Sequence, residues 1–220
     1  MTIRLAGPEA TVLEGFCRRQ LSWDPRLPAR VVTSARALGV FTSPPMGVLV
    51  FFAVPLAEPC AADDPSDVSV PLGALADALH SCADDGLDLD ALPRALVPPG
   101  PAPNLGHLPP HEGWQMPIHG LSGDLLPAIE GAASELTQRS QGLPARAQEA
   151  VANEIWDRPG FAGLPMRALQ AAHRLGMIPN DRSRIAAATC GPWKRLSTPR
   201  GQVFTYMKGP SARLALHVVR

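Results

Sequence analysis

The one group that mixes several histidines with a carboxylate is His107, His111, Glu112 and His119, inside or just after a proline-rich stretch. Imidazole and carboxylate donors suit zinc or another borderline metal. The metalloprotease pattern needs two histidines one helical turn apart on a rigid helix. Here Pro109, Pro110 and Pro117 interrupt the segment, and no histidine follows the His111-Glu112 pair at three residues. The four therefore read as solvated loop side chains, with neither a metal nor another cofactor expected.

Two nucleophiles merit the same scrutiny. Gly120-Leu121-Ser122-Gly123-Asp124 approaches the G-x-S-x-G elbow, but Asp124 stands where the second glycine belongs, which makes the segment helix-capping chemistry instead. Cys190 precedes Gly191-Pro192, with Lys194 and Arg195 close enough in sequence to favour a thiolate; a buried, inert cysteine is the plainer reading. Paired carboxylates at Asp63-Asp64, Asp84-Asp85 and Asp88/Asp90 read as a solvated acidic face. With no G-x-G-x-x-G or Walker-type loop, nucleotide-dependent chemistry has no motif to rest on. An enzyme with a site between two lobes, using His111, Glu112 and Cys190, ranks third among the readings.

The cations offer more. Arg167 and Arg174 fall on one short helical segment, Pro165–Leu175, and Lys194, Arg195, Arg200 and Lys208 lie among the strands that follow. Three helices and then a hairpin is the element order of winged-helix domains, whose third helix enters the major groove. On that reading the turn at Arg200 contacts phosphate, and Trp193, Phe204 and Tyr206 alternatively stack on unpaired bases.

The elements that must position these residues follow from periodicity. Gly7-Pro8 opens a helix with apolar residues at Val12, Leu13, Phe16 and Cys17. The unbroken apolar run Val48 to Val54 is a strand buried on both faces, hence central. Val68 to Val70 is a short edge strand stopped by Pro71. Leu72, Leu75, Ala76 and Leu79 mark a helix, and Leu87 to Leu96 a looser helical or turn segment. Residues 97–111 hold six prolines and two glycines, which excludes helix and central strand and favours an extended, semi-rigid connection. Beyond it, Asp124 is expected to cap a helix with Leu125, Leu126, Ile129 and Leu136 along one side. A second helix starts at Pro144, and a third runs from Pro165 to a stop at Gly176. The period then changes to two, giving strands at Ile185–Thr189, Trp193–Ser197, Gln202–Met207 and Arg213–Val219.

Composition bounds the rest. A chain of 220 residues buries roughly 70% of its unfolded surface and needs no staples. Its 25 prolines and 19 glycines imply many turns. Four scattered cysteines form no CxxC, no secretory h-region follows Met1, and the longest apolar run, Gly47 to Leu56, is about half the ~20 residues that span a bilayer. A cytoplasmic protein with reduced thiols and no membrane contact is expected. Net charge is zero, yet residues 58–135 carry thirteen acids against Arg94 alone, and residues 139–220 carry thirteen Arg/Lys against four acids. Such segregation fits lobes that compensate each other, a basic face that meets an acidic partner (nucleic acid or protein), or, most simply, surfaces that carry charge and have drifted apart in sign.

Around Gly113-Trp114-Gln115 and Gly191-Pro192-Trp193-Lys194-Arg195-Leu196-Ser197-Thr198-Pro199-Arg200-Gly201-Gln202-Val203, the chain resembles uncharacterised proteins of high-GC Gram-positive bacteria. The resemblance implies a bacterial cytosolic housekeeping or accessory role and no catalytic residues.

The sequence thus predicts an α+β protein of two packed lobes, each with helices against a small, mainly antiparallel sheet. The lobes span 1–96 and 113–220, joined by a Pro-rich linker at 97–112. The leading function is non-enzymatic binding or scaffolding toward another protein, or self-association through a sheet edge. The alternative is a nucleic-acid-binding regulator using Arg167, Arg174, Trp193, Lys194, Arg195, Arg200 and Lys208.

Overall fold

The computed structural model describes residues 1–60, 66–82 and 86–207. In the first half, β1 (Thr2–Ile3) leads into α1 (Gly7–Leu21), where the proline sits in the first turn and its missing N–H costs no helical hydrogen bond. Then come β2 (Pro28–Thr33), β3 (Ala37–Thr42), β4 (Leu49–Pro55), β5 (Asp67–Pro71), α2 (Leu72–Ser81) and β6 (Leu87–Asp88). The second half holds β7 (Gln115–Leu121), α3 (Leu126–Ser140), α4 (Ala145–Trp156), α5 (Met166–Arg174), β8 (Arg184–Cys190), β9 (Trp193–Thr198) and β10 (Gly201–Tyr206). The architecture is α+β, with helices and antiparallel strands in both halves.

The four-stranded sheets of the two halves join edge to edge. The order β5-β2-β3-β4-β10-β9-β8-β7 is one eight-stranded antiparallel sheet, sewn at its middle by Gln202 opposite Phe51, Val203 opposite Val50 and Phe204 opposite Leu49. This explains the unbroken apolar character of β4: it has a strand on each side and cover on both faces. One face meets the helices. Leu38, Val40, Val50, Phe52, Leu196 and Val203 from the sheet share a core with side chains of α1, α2, α3 and α5. A small two-stranded sheet of β1 and β6 stands apart from the large one.

The other face is covered by something other than helices. Phe41, Leu49, Trp193 and Phe204 project from it and bury Leu105, with Val97, Ala102, Leu108 and Trp114 packed around them. The proline-rich segment is therefore a strap laid across the back of the sheet. Arg30 fastens it, donating from Nη1 to the Leu105 carbonyl at 2.8 Å while its Nε and Nη2 hold both oxygens of Asp67 at 2.7 Å. That forked pair with Arg30 depresses the Asp67 pKa.

Several local expectations change. Asp124 does not cap α3; it sits in a 3-10 turn, Ser122–Leu125, and the helix end has no side-chain cap. Residues 87–96 contain the short β6 and turns, not helix. β7 precedes the three helices, with a register shift between Gln115 and Ile118 where Pro117 interrupts the pairing. The β9–β10 hairpin lies in mid-sheet, so the second half is not a winged helix: its hairpin is hydrogen-bonded on both sides and cannot project as a wing. The expected strand Arg213–Val219 lies outside the described residues. Among the described residues, no helix is long and apolar enough to cross a membrane.

Candidate functional site

The pleat decides what β9 and β10 present. Lys194 and Leu196 point to the helices, and Trp193 and Arg195 to the strap. Trp193 is 4% exposed and Phe204 3%. Neither ring is free to stack on bases, because the strap covers them. His107 supplies part of that cover: its ring stacks on Trp193 (centroids 5.8 Å, 21°) and meets Tyr206 edge-on at 5.8 Å. Trp114 packs on Phe204 at 5.8 Å, and the Arg195 guanidinium lies 4.3 Å above the Trp114 ring. Burial lowers the Arg195 pKa, and its Nε is buried with no partner among the described residues.

The remaining predicted residues do not form one face. Lys194 Nζ donates to the Gly163 carbonyl at 2.6 Å. The Arg174 guanidinium sits 4.8 Å over Trp23, joining the two halves, and Arg200 Nη1 donates to the carbonyl of Gly176 at 3.1 Å. Lys208 lies outside the described residues. His111, Glu112 and His119 are exposed, and no three His, Cys, Asp or Glu side chains converge as a metal site among the described residues. Cys190 touches the Glu112 backbone, its Sγ donating to that carbonyl at 3.6 Å. Ser122 is fully buried, with Oγ 2.9 Å from both the carbonyl and Oδ1 of Asp181, so the hydroxyl holds a loop.

A cleft of about 620 Å³ opens where the halves meet, and Arg167 stands in it. The turn before β4 contributes Gly47, the strap Pro101 and Pro103, the start of α5 Arg167, and the end of β10 Thr205 and Met207. Arg167 Nη2 pairs with Asp157 Oδ1 at 2.5 Å, and Nη1 reaches the Met46 carbonyl of the first half at 3.4 Å. Its Nε and the Thr205 hydroxyl are buried with no partner among the described residues. Such groups are costly unless something meets them, and Tyr206 and Met207 give the cleft an apolar wall beside them. Sequence reasoning singled out Arg167 but missed Gly47, Thr205 and the strap prolines, which no local pattern brings together.

Behind Arg167, α3 and α4 are tied by charge. Arg139 and Arg158 each contact both Glu135 and Glu154, at 2.6–2.9 Å. The two guanidiniums hold both carboxyls near a pKa of about 2. A depressed pKa contributes stability above the unfolded value near 4.5 that is lost as pH falls through about 2. A Glu135→Gln/Glu154→Gln variant should therefore melt below the parent at pH 5, with the gap closing on acidification through that window. Melting curves at several pH values test this, and a gap independent of pH would refute it.

Residues 1–97 match the model of a domain of unknown function, DUF8010, and residues 109–210 match that of another, DUF8185. No curated protein matches the chain by sequence. Among solved structures, the chain is similar to the Caulobacter crescentus pol III beta subunit. That match has 12% identity and a TM-score of 0.56, covering 100% of this chain and 68% of the other. It is similar to a Helicobacter pylori beta clamp bound to a DNA ligase peptide at 11% identity and a TM-score of 0.55, with coverage of 100% and 69%. A Pseudomonas aeruginosa DNA polymerase III beta subunit gives 11% identity and 0.53, with coverage of 96% and 66%. The chain spans about two thirds of the length of these clamps. In backbone arrangement, both halves taken together have a sliding-clamp-like fold.

Proposed function

We propose that this protein is a non-enzymatic, clamp-like scaffold that binds other proteins by taking a short peptide segment into the cleft between its halves. The observation that carries the reading is that cleft, with an arginine, a buried hydroxyl that has no partner among the described residues, and an apolar wall at the seam of a clamp-like fold. Apolar walls with a few placed polar groups are what peptide and ligand sites use for affinity and orientation. A clamp of similar fold carries a DNA ligase peptide in its crystal structure, which supports peptide capture as a use of this architecture. Self-association through a sheet edge has less support. Pro71 ends β5, and Pro117 with its register shift disturbs β7, devices that blunt edge pairing.

The test is selection from a displayed random-peptide library against the full chain, followed by titration of the enriched peptides. Arg167→Glu and, separately, Met207→Arg are expected to weaken them by roughly tenfold or more, as loss of a central contact does. Peptides that bind both variants as they bind the parent, or a library that yields none, would reject the cleft.

A second reading keeps nucleic acid as partner. Arg174 and Arg200 both lie at the C-terminal end of α5, Arg174 over Trp23 and Arg200 on the Gly176 carbonyl with Asp181 nearby. Binding of labelled DNA should then fall steeply with salt as phosphate counterions are released, and Arg174→Ala/Arg200→Ala should flatten that dependence. Absence of binding at low salt would remove this reading.

A further inference from the structure

The start of the strap is built differently from the rest of it. Arg94-Ala95-Leu96-Val97-Pro98-Pro99-Gly100-Pro101 sets a cation, a leucine and a Pro-x-x-Pro pair in one short run. Alternate residues hold it to the protein: the Ala95 N–H donates to the Ser69 carbonyl of the edge strand β5 at 2.8 Å, and Val97 packs into the cluster beneath the strap. Both ends are fastened. Arg94 Nη1 donates to the carbonyls of Leu89 and Leu92, and Asn104 Nδ2 donates to those of Gly100 and Pro101. Between these anchors the other side chains face water. Leu96 is 94% exposed, and Pro98, Pro99 and Pro101 are exposed as well. Among the described residues, the carbonyls of residues 96–99 accept no hydrogen bond from the protein.

We infer that residues 94–101 are a docking ligand for a partner domain whose aromatic-lined groove reads polyproline II segments. Such grooves take proline rings and a neighbouring apolar side chain from an extended strand that bonds nothing internally. Proline fixes φ in advance, and here the fold also holds both ends, so little freedom remains to be lost on binding. Arg94 is held by the Leu89 and Leu92 carbonyls and by Asp90 at 3.5 Å, so it anchors the segment, and recognition falls to Leu96 and the two prolines. The segment meets the cleft proposed above at Pro101 alone; Leu96 and Pro98, the two positions tested below, do not line it, so their substitution leaves that site intact.

The experiment uses the full chain against a panel of purified, isotope-labelled SH3 domains that read Pro-x-x-Pro ligands. Chemical-shift changes are followed on titration. At least one domain is expected to bind through its aromatic groove, and Leu96→Asp and Pro98→Ala should each weaken it by roughly tenfold. Both substitutions fall on exposed side chains, and circular dichroism checks that the fold is kept. If no domain binds the full chain, or if a domain binds both variants as tightly as the parent, the inference is overturned. Binding of a free peptide of residues 94–101 without binding of the full chain overturns it equally, because the folded protein then does not present the segment.

Discussion

Replacing Trp193 with alanine is expected to lower stability by about 3–5 kcal/mol, the range for deleting a large buried aromatic. Trp193 is the middle of the covered face: its ring meets Tyr206 edge-on at 5.2 Å and His107 at 5.8 Å, and it shares a cluster with Leu105. Removing it leaves a void that a proline-rich strap, with its fixed φ angles, is poorly able to collapse into. Urea unfolding of the full chain reads the effect. A double-mutant cycle with Leu105→Ala then reports whether strap and sheet act together, with a coupling of about 0.5–3 kcal/mol expected for residues sharing one cavity. A Trp193→Ala loss below about 1 kcal/mol, more typical of a surface position, would mean that the strap does not pack as described.

The second large effect is expected at Gly201, which opens β10 with φ at +136. A Cβ there would stand 2.8 Å from the Phe51 carbonyl oxygen and 2.7 Å from Met177 Cε, so both backbone conformation and space exclude a side chain. Gly201→Val should cost about 2–5 kcal/mol, combining backbone strain with overpacking. The clash falls on β4 next to the Gln202–Phe51 pair, so the loss should be accompanied by faster amide exchange in both β4 and β10. Gly131→Ala is the matched control: it lies in α3 with nothing within 4 Å of a new Cβ. It should be neutral or stabilising by up to about 1 kcal/mol. A Gly201 variant behaving like that control would show that the seam is looser than its pairing implies.

These two positions also show how far sequence reaches. The unbroken apolar run of β4 identified a central strand, and the period-two pattern with turn residues at Thr198 to Gly201 identified β9 and β10. The same alternation places Trp193 opposite Tyr206 on one face. What it could not reveal was the cover, because no periodicity marks an irregular segment as buried, and tryptophan, tyrosine and histidine serve equally in packing and in recognition. β7 was missed for a related reason: Pro117, Gln115 and His119 are poor strand residues, tolerated because this strand is an edge. Charge counting saw the segregation of acids and bases. It did not show that much of the basic share is spent locally, as Arg139 and Arg158 are on Glu135 and Glu154. The cleft drew one residue from sequence, Arg167, because its partners come from four separate segments joined only by the fold.

The middle seam carries a lesson about inheritance. Two separate domain descriptions meet in this chain, yet the strand that ends one half's sheet is hydrogen-bonded to the strand that ends the other's. A gene fission between them would release two products, each with a bare interior β-edge of Val, Phe and Leu side chains where it had been shielded by its sibling. Recombination that shuffled one half without the other would meet the same barrier. The halves are therefore expected to travel together through evolution, and to re-find each other as complementary fragments if co-expressed.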